Sequence, residues 1–235
     1  MRSNWLWTVL VSGASFAGAS HALSVSQVTP QGRVNEVQQV VVQTSADAVR
    51  LGNAQAAAPV RVQCDPGDTV KGTGRWNSAR EWVWQPDQAL AAGTRCSVQI
   101  EKSFKSPSGE ALKGAGSYQF EVSGPRITQT WPSSYESIDE AQTFVLQLNG
   151  AATPASVQQH VYCKAQDLGE RIGVKLLDEA ATQQVLKALK INTQGHYVAL
   201  ECTRRMTAGS SMQLVYGAGV QMANGVSNPT TTSLE

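Results

Sequence analysis

The sequence predicts an all-β protein of two tandem immunoglobulin-like β-sandwich domains, with a short helical insertion in the second domain. The first observation is a series of short β-branched or alternating segments separated by turn residues. The second is an internal repeat, because residues 138–147 match the pattern of residues 34–43 about a hundred residues earlier. The third is a matching recurrence of cysteines, two after each copy: Cys64 and Cys96, then Cys163 and Cys202.

Chain length and one pair of residues divide the sequence in two. At 235 residues with 41% hydrophobic content, the chain can bury two cores of about 100 residues each. Gly124 and Pro125 interrupt the strand pattern between the copies, since glycine adopts backbone angles that other residues avoid and proline removes a hydrogen-bond donor. We therefore expect a first domain over residues 23–124 and a second over residues 125–235.

Residues 1–22 have the features of a secretory signal peptide. Arg2 precedes an apolar stretch at residues 5–11, and small residues lead to a cleavage point at residues 20–22. This stretch is too short to span a bilayer, and no other segment approaches the roughly 20 apolar residues of a membrane helix. We expect an exported protein of the periplasm or cell envelope, with no transmembrane segment after signal cleavage. A buried N-terminal helix is the alternative.

The first domain is predicted to consist of strands. They are expected in a series that includes one hairpin: 34–44, 60–64, the hairpin 72–86, 90–100 and 118–122. Within the hairpin, Trp82 and Trp84 share one face. Burial in the core is the favoured interpretation, because large aromatic side chains contribute most to burial. An aromatic platform for sugars or peptides is the alternative.

The second domain repeats this plan, with strands expected at 143–148, 161–163, 171–177, 197–202 and 212–216. Thr153 and Pro154 have the form of an N-cap followed by proline at the first helical position, which predicts a short helix over residues 155–160. Residues 179–190 predict a longer helical insertion with an apolar stripe of Ala181, Val185 and Leu189. We expect this stripe to cap the sandwich, with partner binding as the alternative.

The end of the second domain predicts a truncated strand. Gly109 precedes the closing strand of the first domain, and Gly225 is its counterpart, so that Tyr118 corresponds to Leu234. The last strand of the second domain is then expected to be cut short, leaving an open sheet edge. On this basis the chain is interpreted as the front end of a longer polypeptide.

Export gives the four cysteines a role, because thiols pair in an oxidising compartment. Pairing within each repeat joins Cys64 to Cys96 and Cys163 to Cys202, and it is the connectivity that respects the duplication. Each bridge is expected to stabilise its domain by about 3.5 to 4 kcal/mol in the chain-entropy model. The alternative, a zinc site of all four cysteines, lacks any Cys-x-x-Cys spacing.

Other chemistry-bearing patterns are missing from the sequence. Nineteen basic and eighteen acidic residues give a net charge of +1, and no basic cluster predicts a nucleic-acid partner. His160 and His196 lie in different elements, and no metalloprotease, phosphate-loop or EF-hand motif occurs. Residues 65–68 read as a β-turn rather than a calcium ligand set. We therefore predict no catalytic, cofactor-binding or metal residue, and a protein that is not an enzyme.

An ordered set of short motifs extends over almost all of the predicted mature chain. The motifs are Gly72-Thr-Gly-Arg-Trp76, Trp82-Val-Trp84, Ala92-Gly-Thr-Arg-Cys96, Gly124-Pro125, Ile138-Asp-Glu-Ala-Gln142 and Glu170-Arg-Ile-Gly-Val174. Together they resemble the N-terminal region of bacterial alpha-2-macroglobulin-like proteins.

This resemblance implies macroglobulin-type β-sandwich domains in a large envelope protein that traps proteases, which reach it through downstream parts of the parent. Family members with a thioester carry Cys-x-Glu-Gln, which this sequence does not contain, and no bait segment is identifiable. The resemblance therefore transfers no functional residue and implies a scaffold that could contact other envelope proteins. The alternative function is a tandem immunoglobulin-like adhesion module that recognises a peptide or glycan.

Overall fold

The computed structural model describes residues 22–65, 70–165 and 170–235. It has two tandem immunoglobulin-like β-sandwich domains and a short helical insertion in the second, which confirms the predicted fold class. Residues 1–21, which hold nearly all of the predicted signal peptide, lie outside the described residues. The domain boundaries remain predictions.

The first domain is built from two four-stranded sheets, with strand orders β1-β3-β6-β5 and β2-β8-β7-β4. The short strand β2 runs parallel to β8, whereas the other pairs are antiparallel. The strands are β1 (Val25–Thr29), β2 (Gly32–Val34), β3 (Val40–Thr44), β4 (Val60–Asp65), β5 (Gly72–Trp76), β6 (Glu81–Pro86), β7 (Arg95–Ile100) and β8 (Ser117–Val122).

Alternation along the strands places the core between these two sheets. On β7, Cys96 and Val98 are buried while Arg95 and Gln99 are exposed, as the period of two in a strand requires. Val42 and Trp84 come from the opposite sheet into the same apolar cluster. Because the cluster contains residues from 23 to 122, the first domain has a core of its own.

The two tryptophans of the hairpin explain the glycines of the neighbouring strand. Trp82 and Trp84 are 3% and 7% exposed, which confirms that they are buried in the core and do not form an aromatic platform. Their indole rings lie over Gly74 and Gly72 respectively, where an added Cβ would overlap the ring atoms. Glycine in the interior of a strand marks such a close approach. The Gly-Thr-Gly sequence of β5 is therefore a packing requirement of the tryptophans.

The second domain contains a seven-stranded sheet with the order β15-β14-β11-β12-β13-β10-β9. Its elements are β9 (Ile127–Trp131), β10 (Thr143–Leu148), α1 (Pro154–His160), β11 (Val161–Ala165), β12 (Arg171–Leu176), α2 (Glu179–Ala188), β13 (His196–Cys202), β14 (Met212–Tyr216) and β15 (Thr232–Leu234).

Strand order shows how the second domain repeats the first. The strands β9, β10, β13 and β12 take the places of β1, β3, β6 and β5, and β15, β14 and β11 take those of β8, β7 and β4. The difference is that β11 also pairs with β12, which joins the two sheets into one. An apolar cluster that includes Phe144, Leu200 and Leu214 fills the space between the two halves.

The closing strand is shifted from its predicted alignment. Leu234 on β15 lies opposite Leu214, as Phe120 on β8 lies opposite Cys96. Leu234 therefore corresponds to Phe120, two residues beyond the predicted Tyr118, because the intervening turns differ in length. The three residues of β15 occupy the position that six residues of β8 occupy in the first domain.

Both predicted helices form, with differences in detail. Thr153 precedes α1 as expected, but its hydroxyl donates to Ser156 Oγ at 2.9 Å instead of capping the helix. Asp178 caps α2, accepting from the Ala181 amide at 2.8 Å. Within the described part of the chain, no helix is long and apolar enough to cross a membrane.

The predicted apolar stripe of α2 is correct in part. Val185 packs against the cluster of Val145, Leu186 and Ala199 on the outer side of the sheet, as expected. Leu189 is instead 49% exposed, because it is the C-cap beyond the last helical residue, and Leu186 is the fully buried apolar residue of the helix. The buried face is therefore centred closer to Leu186 than the prediction placed it. The helix covers the sheet, as expected.

Substituting Gly74 tests the packing of the tryptophans. We expect Gly74→Ala to destabilise the chain by about 1–3 kcal/mol, because the new methyl group would displace the Trp82 ring. Gly116→Ala is the matched control, since no atom lies within 4 Å of its added Cβ. Urea unfolding followed by tryptophan fluorescence gives both values. Equal stability of the two variants would contradict this packing.

Candidate functional site

Both predicted disulfides are present. Cys64 joins Cys96, and Cys163 joins Cys202, across sequence separations of 32 and 39 residues. All four cysteines are oxidised, which excludes the alternative of a shared zinc site. Two disulfides in one chain indicate an oxidising compartment outside the cytosol.

The two bridges do not occupy equivalent places in the two domains. Cys64 and Cys96 are direct partners on neighbouring strands β4 and β7, with Cα atoms 4.0 Å apart. Cys163 on β11 instead lies opposite Leu214, which therefore takes the place of Cys96. The last cysteine, Cys202, lies at the end of β13. The pairing is as predicted, but the second cysteines of the two domains are not counterparts.

The second bridge holds the bend of the seven-stranded sheet. The strands that it joins, β11 and β13, are separated by β12. Strands two places apart in a flat sheet are about 9.6 Å apart. The Cα atoms of Cys163 and Cys202 are 6.0 Å apart, so the sheet folds sharply at β12. The disulfide fixes the two halves of the sandwich against each other.

The remaining chemistry-bearing residues do not converge on one site. His160 ends α1, and His196 begins β13. The described residues contain no group of three or more His, Cys, Asp or Glu side chains arranged to hold a metal ion. Most of the predicted turn at 65–68 lies outside the described residues. Arg204 and Arg205 are exposed in the loop after β13.

One surface cleft of the second domain has a volume of about 910 Å³. It lies between residues 132–138 and 209–214 and includes Lys164 in its lining. Tyr135 on its rim is 84% exposed and has a φ of 68°, a left-handed conformation that is uncommon outside glycine. An exposed aromatic ring beside a hydroxyl-rich cleft can contact an apolar face of a ligand.

The joint between the domains brings backbone close to backbone. Ala92, in the loop between β6 and β7, is 7% exposed. A Cβ added to Gly124 or to Gly150 would lie 2.7 Å from the Ala92 Cβ, closer than real side chains approach. Gly124 also has a φ of +145°, which side-chain-bearing residues rarely adopt. Gly150 is therefore required for the contact of the second domain with Ala92, and Gly124 for the packing of the end of the first domain against the same residue.

Asn149 connects the linker, which we define as residues 123–126, to both domains. Its side-chain oxygen accepts from the Arg126 amide at 2.7 Å, and its side-chain nitrogen donates to the Ser123 carbonyl at 3.3 Å. Its backbone carbonyl accepts from the Ala92 amide at 2.9 Å, in the first domain. One residue of the second domain thus satisfies polar groups on the linker and across the joint.

The linker is also held from each side. The Arg126 guanidinium donates to the Asn35 carbonyl at 3.2 Å and to Glu36 Oε2 at 3.0 Å, both in the first domain. From the second domain, the Tyr216 hydroxyl donates to the Pro125 carbonyl at 2.8 Å. Tyr216 is 1% exposed, so this bond is made inside the core. The connection between the domains is a packed, hydrogen-bonded joint.

Sequence reasoning located this joint only in part. Gly124 and Pro125 marked the boundary, Ala92 entered only as the first residue of one motif of the resemblance, and nothing singled out Asn149. Asn149 followed by Gly150 is a common turn signal after a strand, and that interpretation accounts for both residues without any interdomain contact. No local signal identifies their role, because two strands separate them from the predicted boundary.

Comparisons with known proteins give structural neighbours only. The sequence matches no protein-family model and no curated protein. An L,D-transpeptidase from Mycobacterium tuberculosis H37Rv is 20% identical with a TM-score of 0.30, covering 67% of this chain and 60% of that one. An L,D-transpeptidase from Mycobacterium smegmatis is 17% identical with a TM-score of 0.32, covering 80% and 77%. The N-terminal part of the bacterial S-layer protein SbsC is 11% identical with a TM-score of 0.30, covering 81% and 43%.

These neighbours correct one prediction. L,D-transpeptidases are enzymes, and their presence among the similar structures contradicts the prediction that the chain is not an enzyme. That prediction is withdrawn. At TM-scores of 0.30 to 0.32, the likeness transfers neither an activity nor a site residue to this chain.

The buried Tyr216 hydroxyl is a test of the joint. Burial raises the pKa of Tyr216 above its usual 10.0, so the folded chain keeps this proton after the unfolded chain has lost it. The resulting stability is complete below pH 10 and is lost as the pH rises further. Tyr216→Phe should reduce that alkaline loss and cost about 1–3 kcal/mol at neutral pH, because the Pro125 carbonyl loses this donor.

Urea unfolding at pH values on both sides of 10 measures the two effects of Tyr216→Phe. Tyr135→Phe is the control, because Tyr135 is 84% exposed and should change neither value. An unchanged stability of Tyr216→Phe at neutral pH would contradict the proposed anchoring of the linker.

Proposed function

We propose that this chain is the N-terminal scaffold segment of an exported alpha-2-macroglobulin-like protease inhibitor that traps proteases in the bacterial envelope. The observation that carries the proposal is the packed joint, in which Asn149 bonds the linker and Ala92 while Gly124 and Gly150 allow close approach. On this proposal the chain supplies architecture to a larger molecule.

A trap made of many β-sandwich domains depends on fixed angles between neighbours. Cleavage in one part of such a molecule can move another part only where the intervening domains transmit the displacement instead of hinging. Separate domains joined by a small interface move relative to each other by default. The joint opposes this motion through the Arg126 bonds to the first domain and the Tyr216 bond from the second. These contacts support a role as a rigid spacer.

The proposed location is the periplasm or cell envelope. Both domains contain a disulfide, which forms and persists in oxidising compartments. The proposed partners are proteases, bound through downstream parts of the parent protein, together with neighbouring envelope proteins. Most motifs that resemble the macroglobulin family lie on strands or at the joint, where Gly74 accommodates Trp82 and Gly124 accommodates Ala92. The motif at residues 138–142 lies in the loop before β10.

A second candidate function is a tandem immunoglobulin-like adhesion module that recognises a peptide or glycan. The observation that favours it is the cleft of about 910 Å³ beside Tyr135. The ring of Tyr135 is 84% exposed, and serines from both flanking segments, including Ser134 and Ser211, line the cleft. Aromatic rings combine an apolar face with a polar edge, which suits sugars and extended peptides.

The size of the native product separates the two candidates. We expect a denaturing gel and immunoblot of the periplasmic fraction, with antibody to this chain, to show a band several times larger than 25.1 kDa. Purified native protein should then retain an added protease after that protease has cleaved it. A band near 25.1 kDa would contradict the scaffold proposal and favour the adhesion module.

A further inference from the structure

The outer face of the sheet β2-β8-β7-β4 in the first domain is polar along every strand. Residues that point away from the core alternate with buried ones, so that charged, amide and hydroxyl side chains face solvent. A surface depression of about 920 Å³ lies over the end of this face that holds Asp65 and Arg95. The residues of this face are Arg33, Arg61, Gln63, Asp65, Arg95, Ser97, Gln99, Ser117, Gln119 and Glu121.

One row across this face alternates in charge. In register, Arg33 pairs with Glu121, Glu121 with Arg95, and Arg95 with Asp65, giving the order positive, negative, positive, negative across four strands. Neighbouring strands are about 4.8 Å apart, so the four charges span about 14 Å. We refer to these four residues as the charge row.

Three of the four charges of the row are exposed. The Arg33 and Arg95 side chains lie 3.6 Å and 3.0 Å from the carboxylate of Glu121 and are 53% and 69% exposed, whereas the Glu121 side chain is 19% exposed. Asp65 at the other end is also exposed. Ion pairs with an exposed partner contribute little to stability, so the stability of the first domain alone does not explain the alternation.

An alternating row of four charges is complementary to itself. A two-fold axis parallel to the strands and midway between β8 and β7 places a second copy face to face with the first. The charge row of the second copy then lies opposite that of the first, in reverse order. Arg33 then faces Asp65 of a second copy, and Glu121 faces Arg95, with each pair repeated by symmetry. We propose that this face binds the same face of a second copy of this chain in an isologous, two-fold pairing.

The adjacent row agrees with the same axis. Gln119 on β8 and Ser97 on β7 are register partners, so the rotation places each opposite the other in the second copy. Amide and hydroxyl groups can both donate and accept, and they pair without the desolvation cost of an unpaired charge. The complementarity thus extends along the strands.

The second domain offers an internal comparison. Its counterparts of Asp65 and Arg95, identified from the register of β11 and β14, are Lys164 and Gln213. The counterpart of Glu121 is Glu235, whose carboxylate accepts from Gln213 Nε2 at 2.9 Å. This row therefore has one negative and one positive charge separated by an amide, without the alternation of the first domain. The charge row is therefore a feature of the first domain and not of the shared fold.

The pairing is expected to be weak and sensitive to salt. The face has four short strands and mainly polar groups, which places it at the low end of specific interfaces, below about 1,200 Å² of total buried area. Charged pairs near solvent are screened, so association should decrease as ionic strength rises.

Charge exchange tests the pairing through sedimentation equilibrium of the purified chain at low salt over a wide range of concentration. The wild type should show a monomer–dimer equilibrium. Arg95→Glu and Glu121→Arg should each weaken association by at least about tenfold, because like charges then face each other twice. An equal mixture of the two variants should restore dimerisation, since each reversed charge meets its complement.

Arg80→Glu is the matched control, because it breaks an exposed ion pair with Asp47 on a different surface and should leave association unchanged. Arg33→Glu and Asp65→Arg form a second exchangeable pair at the ends of the row, in case the central variants fail to fold. Circular dichroism verifies the fold of each variant. A wild type that stays monomeric throughout, single variants that associate like wild type, or mixtures of folded variants that stay monomeric would each overturn the proposal.

Discussion

The contact of Ala92 with Gly124 and Gly150 is the constraint on which the arrangement of the two domains depends. Any side chain at either glycine would separate the backbones, since its Cβ would lie 2.7 Å from that of Ala92. With the backbones in contact, Asn149 can reach the linker and the first domain together. The bond from Tyr216 to Pro125 then connects the joint to the second core. The joint explains how Gly124 and Pro125, residue types that usually indicate flexibility, can end one sandwich and begin the next without a free linker.

Within each domain, the same strand order is closed by different means. The first domain keeps two separate sheets and has its disulfide between neighbouring strands of one of them. The second joins its sheets through β11 and β12, and its disulfide spans the bend. Leu214 fills the position of Cys96, which adds an apolar core side chain where the first domain has a sulfur atom. The duplicated fold thus tolerates a change of covalent bridge as long as the two faces remain packed.

Local patterns in the sequence were enough to predict most strands, both helices and the burial of Trp82 and Trp84, because alternation, caps and aromatic placement are set by near neighbours. The strands β1, β2 and β9 were not predicted, and the strand expected over residues 34–44 begins only at residue 40. Features that depend on distant residues were not accessible. The face of α2 is set by Val145 and Ala199, so that Leu186 belongs to it and Leu189 does not. The correspondence of Cys202 with Cys96 followed from spacing, whereas register assigns that place to Leu214. Asn149 was not identified, because its partners, Ala92 and Arg126, are known only from the tertiary fold.

The most direct measurement of a fixed joint is the distance distribution between two spin labels, one on an exposed strand position of each domain, by pulsed electron resonance. Arg75 and Lys175 are suitable sites, since each is exposed on a strand, and Arg75 lies on the sheet opposite the proposed pairing face. A single narrow distribution that is unchanged by moderate salt is the result expected for domains held by backbone contact and buried hydrogen bonds. A broad or multiple distribution would contradict the account, because it would mean that the domains move about the Gly124–Pro125 connection.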